Sequence, residues 1–300
     1  DNIAYAQYYV INSAKSLAES WYDVVHQIGK DPFYYFVGNL FSKMGFSYRG
    51  WFVFIAIVYM AGFCYIMYKH SDNYFFSILF MISLSYYYFS MTGLRQTLAF
   101  GICFFAFEMI YKKKRILFIL LVILASMFHS SALIFLIIYI CANIPISCKQ
   151  WIMTGVALII AYVTPNFINN VVSRLAWNEN IENYANVTSG LSVFGFAILV
   201  YILLFINYFI KNDFENERYY RPLINTMFIG AIIQAFAVNI DNIFRMSMYF
   251  SVYGAYAVTS VIERQNGTFK RILYMIIGVV MIMYMLRAGN YKYFSLFGGM

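Results

Sequence analysis

"ILFILLVILASMFHSSALIFLIIYICANI", residues 116–144, is the stretch on which the fold turns. It is long for a single bilayer crossing, which takes about 20 apolar residues. It also carries His129, Ser130 and Ser131 at its centre. Polar groups at membrane depth are costly and tend to be functional. The bland alternative is a core histidine that hydrogen-bonds a neighbour, and the rest of the chain has to decide between the two.

The chain is 62% hydrophobic and only 11% charged, whereas a soluble domain carries about a quarter charged residues. With a mean hydropathy of +0.66, a water-soluble fold of this length has nowhere to hide its apolar surface. The expectation is an all-α polytopic membrane protein, because barrel strands would alternate polar and apolar residues and these segments do not. The net charge of +8 would suggest nucleic acid in a soluble protein. Here many of the basic residues sit in short loops between apolar segments, so nucleic acid is rejected and the charge is read as topology. Cys64, Cys103, Cys141 and Cys148 lie in or beside apolar segments, with no metal-site spacing and no sign of a disulfide framework. The three histidines are far apart in sequence and form no metal motif.

Candidate spans are 50–68, 74–90, 93–110, 116–144, 151–164, 191–210, 222–240, 243–262 and 272–286. Lys69 follows the first and "KKKR", Lys112 to Arg115, follows the third, which marks that side as cytoplasmic. If 116–144 crosses once, Lys211, Arg218, Arg221, Arg264, Lys270 and Arg271 all fall outside. If it crosses twice, as short helices 116–128 and 131–144 turning at "FHSS", all of them and Lys149 fall inside. The second option is preferred. It makes 116–144 a short re-entrant-like hairpin, its tip (His129, Ser130 and Ser131) at or below the outer surface. Such a turn must be packed in protein or line a wet cavity.

The same parity leaves 1–49 and 165–190 outside, within a single integral membrane domain spanning 1–300. The first contains "DPFYYFVGNLFSKMGF", an amphipathic stretch suited to the interface. The second is the longest polar insert and a lid candidate. With Asp1 outside and the first span starting outside, one earlier helix is expected before the chain as given, for about ten crossings in all.

A short list of charges remains on the outer side. Arg95 lies in "SMTGLRQTLAF", one turn inside its helix, and Arg174 lies in the large loop. Asp241 and Arg245 lie in "NIDNIFRMSMYF" at the outer start of a helix, where Asp241 is also a candidate cap. Arg287 follows the last span and reads as a residue snorkelling to the headgroups. Arg95 and Arg245 have small and polar neighbours and the depth of the His129 tip, so a shared outer-face cavity is expected. Arginine forks onto phosphate oxygens, and histidine exchanges protons near neutral pH. That combination matches transfer chemistry with a diphosphate leaving group: positive charge stabilises the departing oxygens and a base deprotonates the attacking hydroxyl. No DxD motif or histidine cluster suggests a divalent metal, so no metal or other cofactor is expected. Tyr86, Tyr87, Tyr88, Trp177 and Tyr184 are available to stack on sugar rings, a weak assignment in a chain with 29 tyrosines.

"GLRQTLAFGICFFAFEMIYKKK" followed by "LFILLVILASMFHSSALIFL" resembles the EpsG-like branch of the Wzy-type polysaccharide polymerases. The resemblance rests on Arg95–Gln96, the short basic loop and Phe128–His129–Ser130. "DNIFRMSMYF" matches the family's later arginine-bearing helix at Arg245, and "DNIAYAQYY" matches its Asp-x-x-x-Tyr segment at Asp1 and Tyr5. The resemblance implies metal-independent polymerisation of undecaprenyl-diphosphate-linked oligosaccharide repeat units at the outer face of the bacterial cytoplasmic membrane. The lipid-linked units are donor and acceptor, and a chain-length regulator and a flippase are further implied partners. In that reading Arg95, Arg245 and Arg174 contact the diphosphate. His129 is the base or a donor to the diphosphate, Asp241 and Asp1 are rival bases, and Gln96, Ser130 and Tyr249 support the site. A flippase of lipid-linked sugars is a rival, but it predicts a polar path across the bilayer and often internal repeats. A glycan ligase shares the diphosphate logic and stays open.

Overall fold

The computed structural model describes residues 2–164, 200, 201, 204, 220–236 and 241–288. Over these residues the chain is helical throughout, in agreement with an all-α polytopic membrane protein. Among the described residues three helices are long and apolar enough to cross a bilayer: α4 (Tyr48–His70), α7 (Leu94–Tyr111) and the first part of α14 (Gly267–Ala288). The expected span 74–90 is a bent pair, α5 (Tyr74–Ser83) and α6 (Tyr86–Thr92), broken by 52°. Ser85 at the break takes φ +63°, a left-handed conformation that no α-helix accommodates. The expected spans 222–240 and 243–262 resolve into three shorter helices, α11 (Arg221–Phe236), α12 (Asp241–Ser251) and α13 (Gly254–Glu263). Most of 191–210 and all of 165–190 lie outside the described residues.

The decisive stretch breaks where its sequence said it would. Helix α8 (Arg115–Phe128) ends at His129, whose backbone is extended (φ −157°, ψ 114°). The second leg, expected as a helix over 131–144, is instead a 3₁₀ turn, Ser130–Leu136, and the short α9 (Ile137–Cys141). Two serines after the histidine favour local turns over a continued helix.

Two compact units divide the described chain. Among the described residues, the first holds 2–69, 81–134 and 279–288. Its N-terminal part is built from α1 (Asn2–Ser13), α2 (Leu17–Val25) and α3 (Pro32–Lys43), with α1 and α2 each packed on α3. Ser16 and Glu19 form a capping box at the start of α2. Asn39 donates to Ser20 Oγ (2.6 Å) and to the Lys15 carbonyl (3.2 Å), and Lys43 donates to the Ser13 carbonyl (3.0 Å). Residues 1–49 are therefore a three-helix cap with its own polar stitching, beyond the single interfacial stretch that the sequence suggests. α3 seats this cap through Phe41 against Trp51 and Phe54 of α4, and through Phe33 against Phe128 of α8. Helices α4 and α7 cross at Gly62 and Gly101. A Cβ at Gly62 would stand 2.7 Å from the Gly101 carbonyl oxygen. Such small residues let membrane helices approach closely.

The second unit holds residues 70–80 and 135–278. Here α11 packs on α9, on α10 (Cys148–Val163), on α12 and on α13. Asn225 of α11 ties down the turn after α9 by donating to the Ala142 and Ile144 carbonyls, and it accepts from Gln150. A buried amide so fully paired fixes one arrangement of the turn.

Candidate active site

Helices α7 and α8 lie side by side, joined by a tight turn at Lys112–Lys114 in which Lys113 takes φ +55°. The reversal brings Arg95, near the start of α7, to the same end as His129, just past the end of α8. The basic turn sits at the opposite end. Charge parity placed Arg95 and His129 together, and the structure brings them together through a third residue.

That residue is Asp31, immediately before α3. His129 Nδ1 lies 2.9 Å from Asp31 Oδ2 and Arg95 Nη1 lies 3.2 Å from the same oxygen. Arg95 Nη1 also donates to the Lys30 carbonyl (3.0 Å), and the Ser130 backbone N–H donates to the Asp31 carboxylate. The three side chains are largely withdrawn from solvent, with Asp31 6%, Arg95 17% and His129 18% exposed. Burial raises the pKa of the Asp31 carboxyl. The hydrogen bond and charge of His129, the charge of Arg95 and the Ser130 N–H outweigh it and hold the group below its ordinary value.

The local backbone explains why Asp31 is available. An aspartate before a proline that opens a helix would ordinarily cap the helix. Asp31 makes no side-chain capping bond and takes φ +55°, a left-handed conformation costly for a non-glycine residue. Its carboxylate is turned instead to His129 and Arg95. Strain of this kind gathers at functional sites. The Tyr5 ring of α1 adds an aromatic wall, its centroid 6.0 Å from Arg95 Cζ. Arg95 Nε is buried without a hydrogen-bond partner among the described residues, so the guanidinium keeps an uncommitted donor.

The remaining sequence candidates distribute as follows. Gln96 is buried on α7 beside Arg95, and Ser130 is exposed at the start of the 3₁₀ turn. Tyr249 is buried in the second unit, its ring centroid 6.5 Å from that of Phe135. Arg245 stands on α12 of the same unit, and Asp241 opens that helix, its side chain outside the description. Asp1 and Arg174 lie outside the described residues. Asp31 opens the amphipathic stretch 31–46, which the sequence marks only as interfacial. The available signal was an acid on the same predicted side as His129 and Arg95. Among the described residues no three of His, Cys, Asp and Glu come together as a metal site requires.

Comparison with curated proteins and with solved structures gives no significant match. The family model for the EpsG family matches residues 1–296, nearly the whole chain and all of the residues of the His129–Asp31–Arg95 cluster, and the protein belongs to that family.

Proposed function

We propose that the protein is a glycan polymerase that joins lipid-diphosphate-linked saccharide units at the outer face of the cytoplasmic membrane. Family membership supports a polysaccharide-polymerase type of role. The observation that carries the finer reading is the buried His129–Asp31–Arg95 cluster at the end of α7 and α8 remote from the Lys112–Arg115 turn. Basic loops favour the cytoplasmic side, so the cluster faces outward.

The geometry favours the base over the donor role for His129. With Nδ1–H committed to Asp31, the neutral ring keeps its lone pair on Nε2, as in other carboxylate-oriented histidines. The acceptor hydroxyl gives its proton to Nε2 as its oxygen bonds to the donor's anomeric carbon. The anomeric bond to the diphosphate breaks and the lipid diphosphate leaves with the electron pair. Arg95, through nitrogens not held by Asp31 and Lys30, stabilises that charge. Asp31 is a positioning residue: it fixes the tautomer of His129 and holds Arg95. In the sequence reading Arg245 and Arg174 are further diphosphate contacts, Asp241 and Asp1 are rival bases, and Gln96, Ser130 and Tyr249 are supporting groups. The donor and acceptor are undecaprenyl-diphosphate-linked oligosaccharides, supplied by a flippase and limited in length by a regulator.

The test is a purified, reconstituted protein given a synthetic lipid-diphosphate saccharide. A ladder of chain lengths is expected. A product stopped at one transfer points to a ligase, and translocation without a new glycosidic bond points to a transporter.

A further inference from the structure

The cap contains a cavity of about 10 Å³, room for one water-sized group, between α1, α3 and the first turn of α4. Three buried polar atoms on its lining residues make no hydrogen bond among the described residues: Tyr34 Oη, Asn39 Oδ1 and Trp51 Nε1. Their residues are 3%, 1% and 1% exposed, so leaving these atoms unpaired is costly. Trp51 Nε1 and the Tyr34 hydroxyl are neighbours without reaching hydrogen-bond geometry.

The chemistry of the three atoms is selective. Trp51 Nε1 only donates, Asn39 Oδ1 only accepts, and the tyrosine hydroxyl does either. An anion wants donors throughout and a cation wants acceptors throughout. A neutral hydroxyl satisfies all three. The walls are aromatic: the Tyr34 ring lies 5.4 Å from Trp51 and 6.1 Å from Tyr5. Tyr5 and Tyr35 are half-buried and form the rim, while Tyr9, Tyr34 and Trp51 are buried and form the floor. Gly38 keeps the floor open, since a Cβ there would rest 3.5 Å from Trp51 Nε1 and 3.6 Å from Tyr9. Tyr5 also faces Arg95, so the cavity adjoins the candidate active site.

We propose that this cavity is a saccharide subsite, which takes one hydroxyl of a sugar residue onto Tyr34, Asn39 and Trp51 while the ring lies on the rim tyrosines. The assignment rests on the polymerase reading for the source of the sugar; the hydroxyl chemistry does not. A bound water would use the same three atoms, and the experiment separates the two.

The full chain is labelled with 5-fluorotryptophan, with the Trp51 resonance assigned by Trp51→Phe. It is titrated with the free saccharide unit released from the polymer of the producing cells, and separately with sorbitol. Saturable movement of the Trp51 resonance by the saccharide, absent with sorbitol, is the expected result. Gly38→Ala, which places a methyl against Trp51 at ordinary contact distance, should abolish the movement. It should also raise KM for the lipid-linked unit about tenfold, the equivalent of one lost hydrogen bond. A Trp51 resonance unmoved by saccharide in a protein that makes polymer would overturn the subsite and leave the cavity to water. Equal movement by sorbitol would overturn the sugar assignment. Movement by saccharide in a protein that makes no polymer would uphold the subsite and remove the polymerase reading.

Discussion

Asp31 holds together His129 and Arg95, which the sequence makes conspicuous. They stand out because each is a polar residue within an apolar stretch, and polar groups are rare at that depth. Asp31 stands out in no such way. Asp-Pro at a helix start reads as a cap, and only the left-handed backbone turns the side chain toward His129 and Arg95. Its depressed pKa means that the folded state gains stability from the ionised carboxylate. That gain is present above the ordinary carboxylate value and is lost as pH falls through the lower folded value. Asp31→Asn leaves the buried Arg95 guanidinium uncompensated and takes the carboxylate from His129, and should cost on the order of 3 kcal/mol at neutral pH. Thermal unfolding in detergent should show the gap between wild type and variant closing below the ordinary carboxylate range. A gap that stays constant with pH would contradict the ionised role. The variant should also lose kcat, because the tautomer of His129 is no longer fixed.

At the level of elements, apolar length and charge predicted most helices well, and the break at His129 followed from its three polar residues. The break at Ser85 was not legible, since its two flanking helices together still read as one apolar span. Close helix crossings are equally silent in a hydropathy plot. Gly62 of α4 and Gly101 of α7 leave no room for a Cβ, because each faces backbone atoms of the other helix. Gly62→Ala forces a methyl onto the Gly101 carbonyl and should destabilise the protein by about 1–3 kcal/mol. A thermal shift assay that finds Gly62→Ala as stable as wild type would show that the two helices part without cost.

For the molecule as a whole, membrane class was readable from composition. The three-helix cap was not, because its folding depends on long-range polar contacts such as Asn39 to Lys15 and Lys43 to Ser13. The account places the cap, Arg95 and His129 outside. Ser130→Cys should therefore be labelled by an impermeant maleimide added to intact cells, and Lys113→Cys only after the membrane is opened. The reverse pattern would invert the topology. The central claim is that His129, held by Asp31, takes the proton of the acceptor hydroxyl during glycan transfer. Its most direct test is the turnover of His129→Ala on the synthetic lipid-diphosphate saccharide, in a variant shown to insert and unfold like wild type. The account predicts a fall in kcat of about 10²–10⁴-fold with the ladder correspondingly lost, and a variant that builds the ladder at the wild-type rate would contradict it.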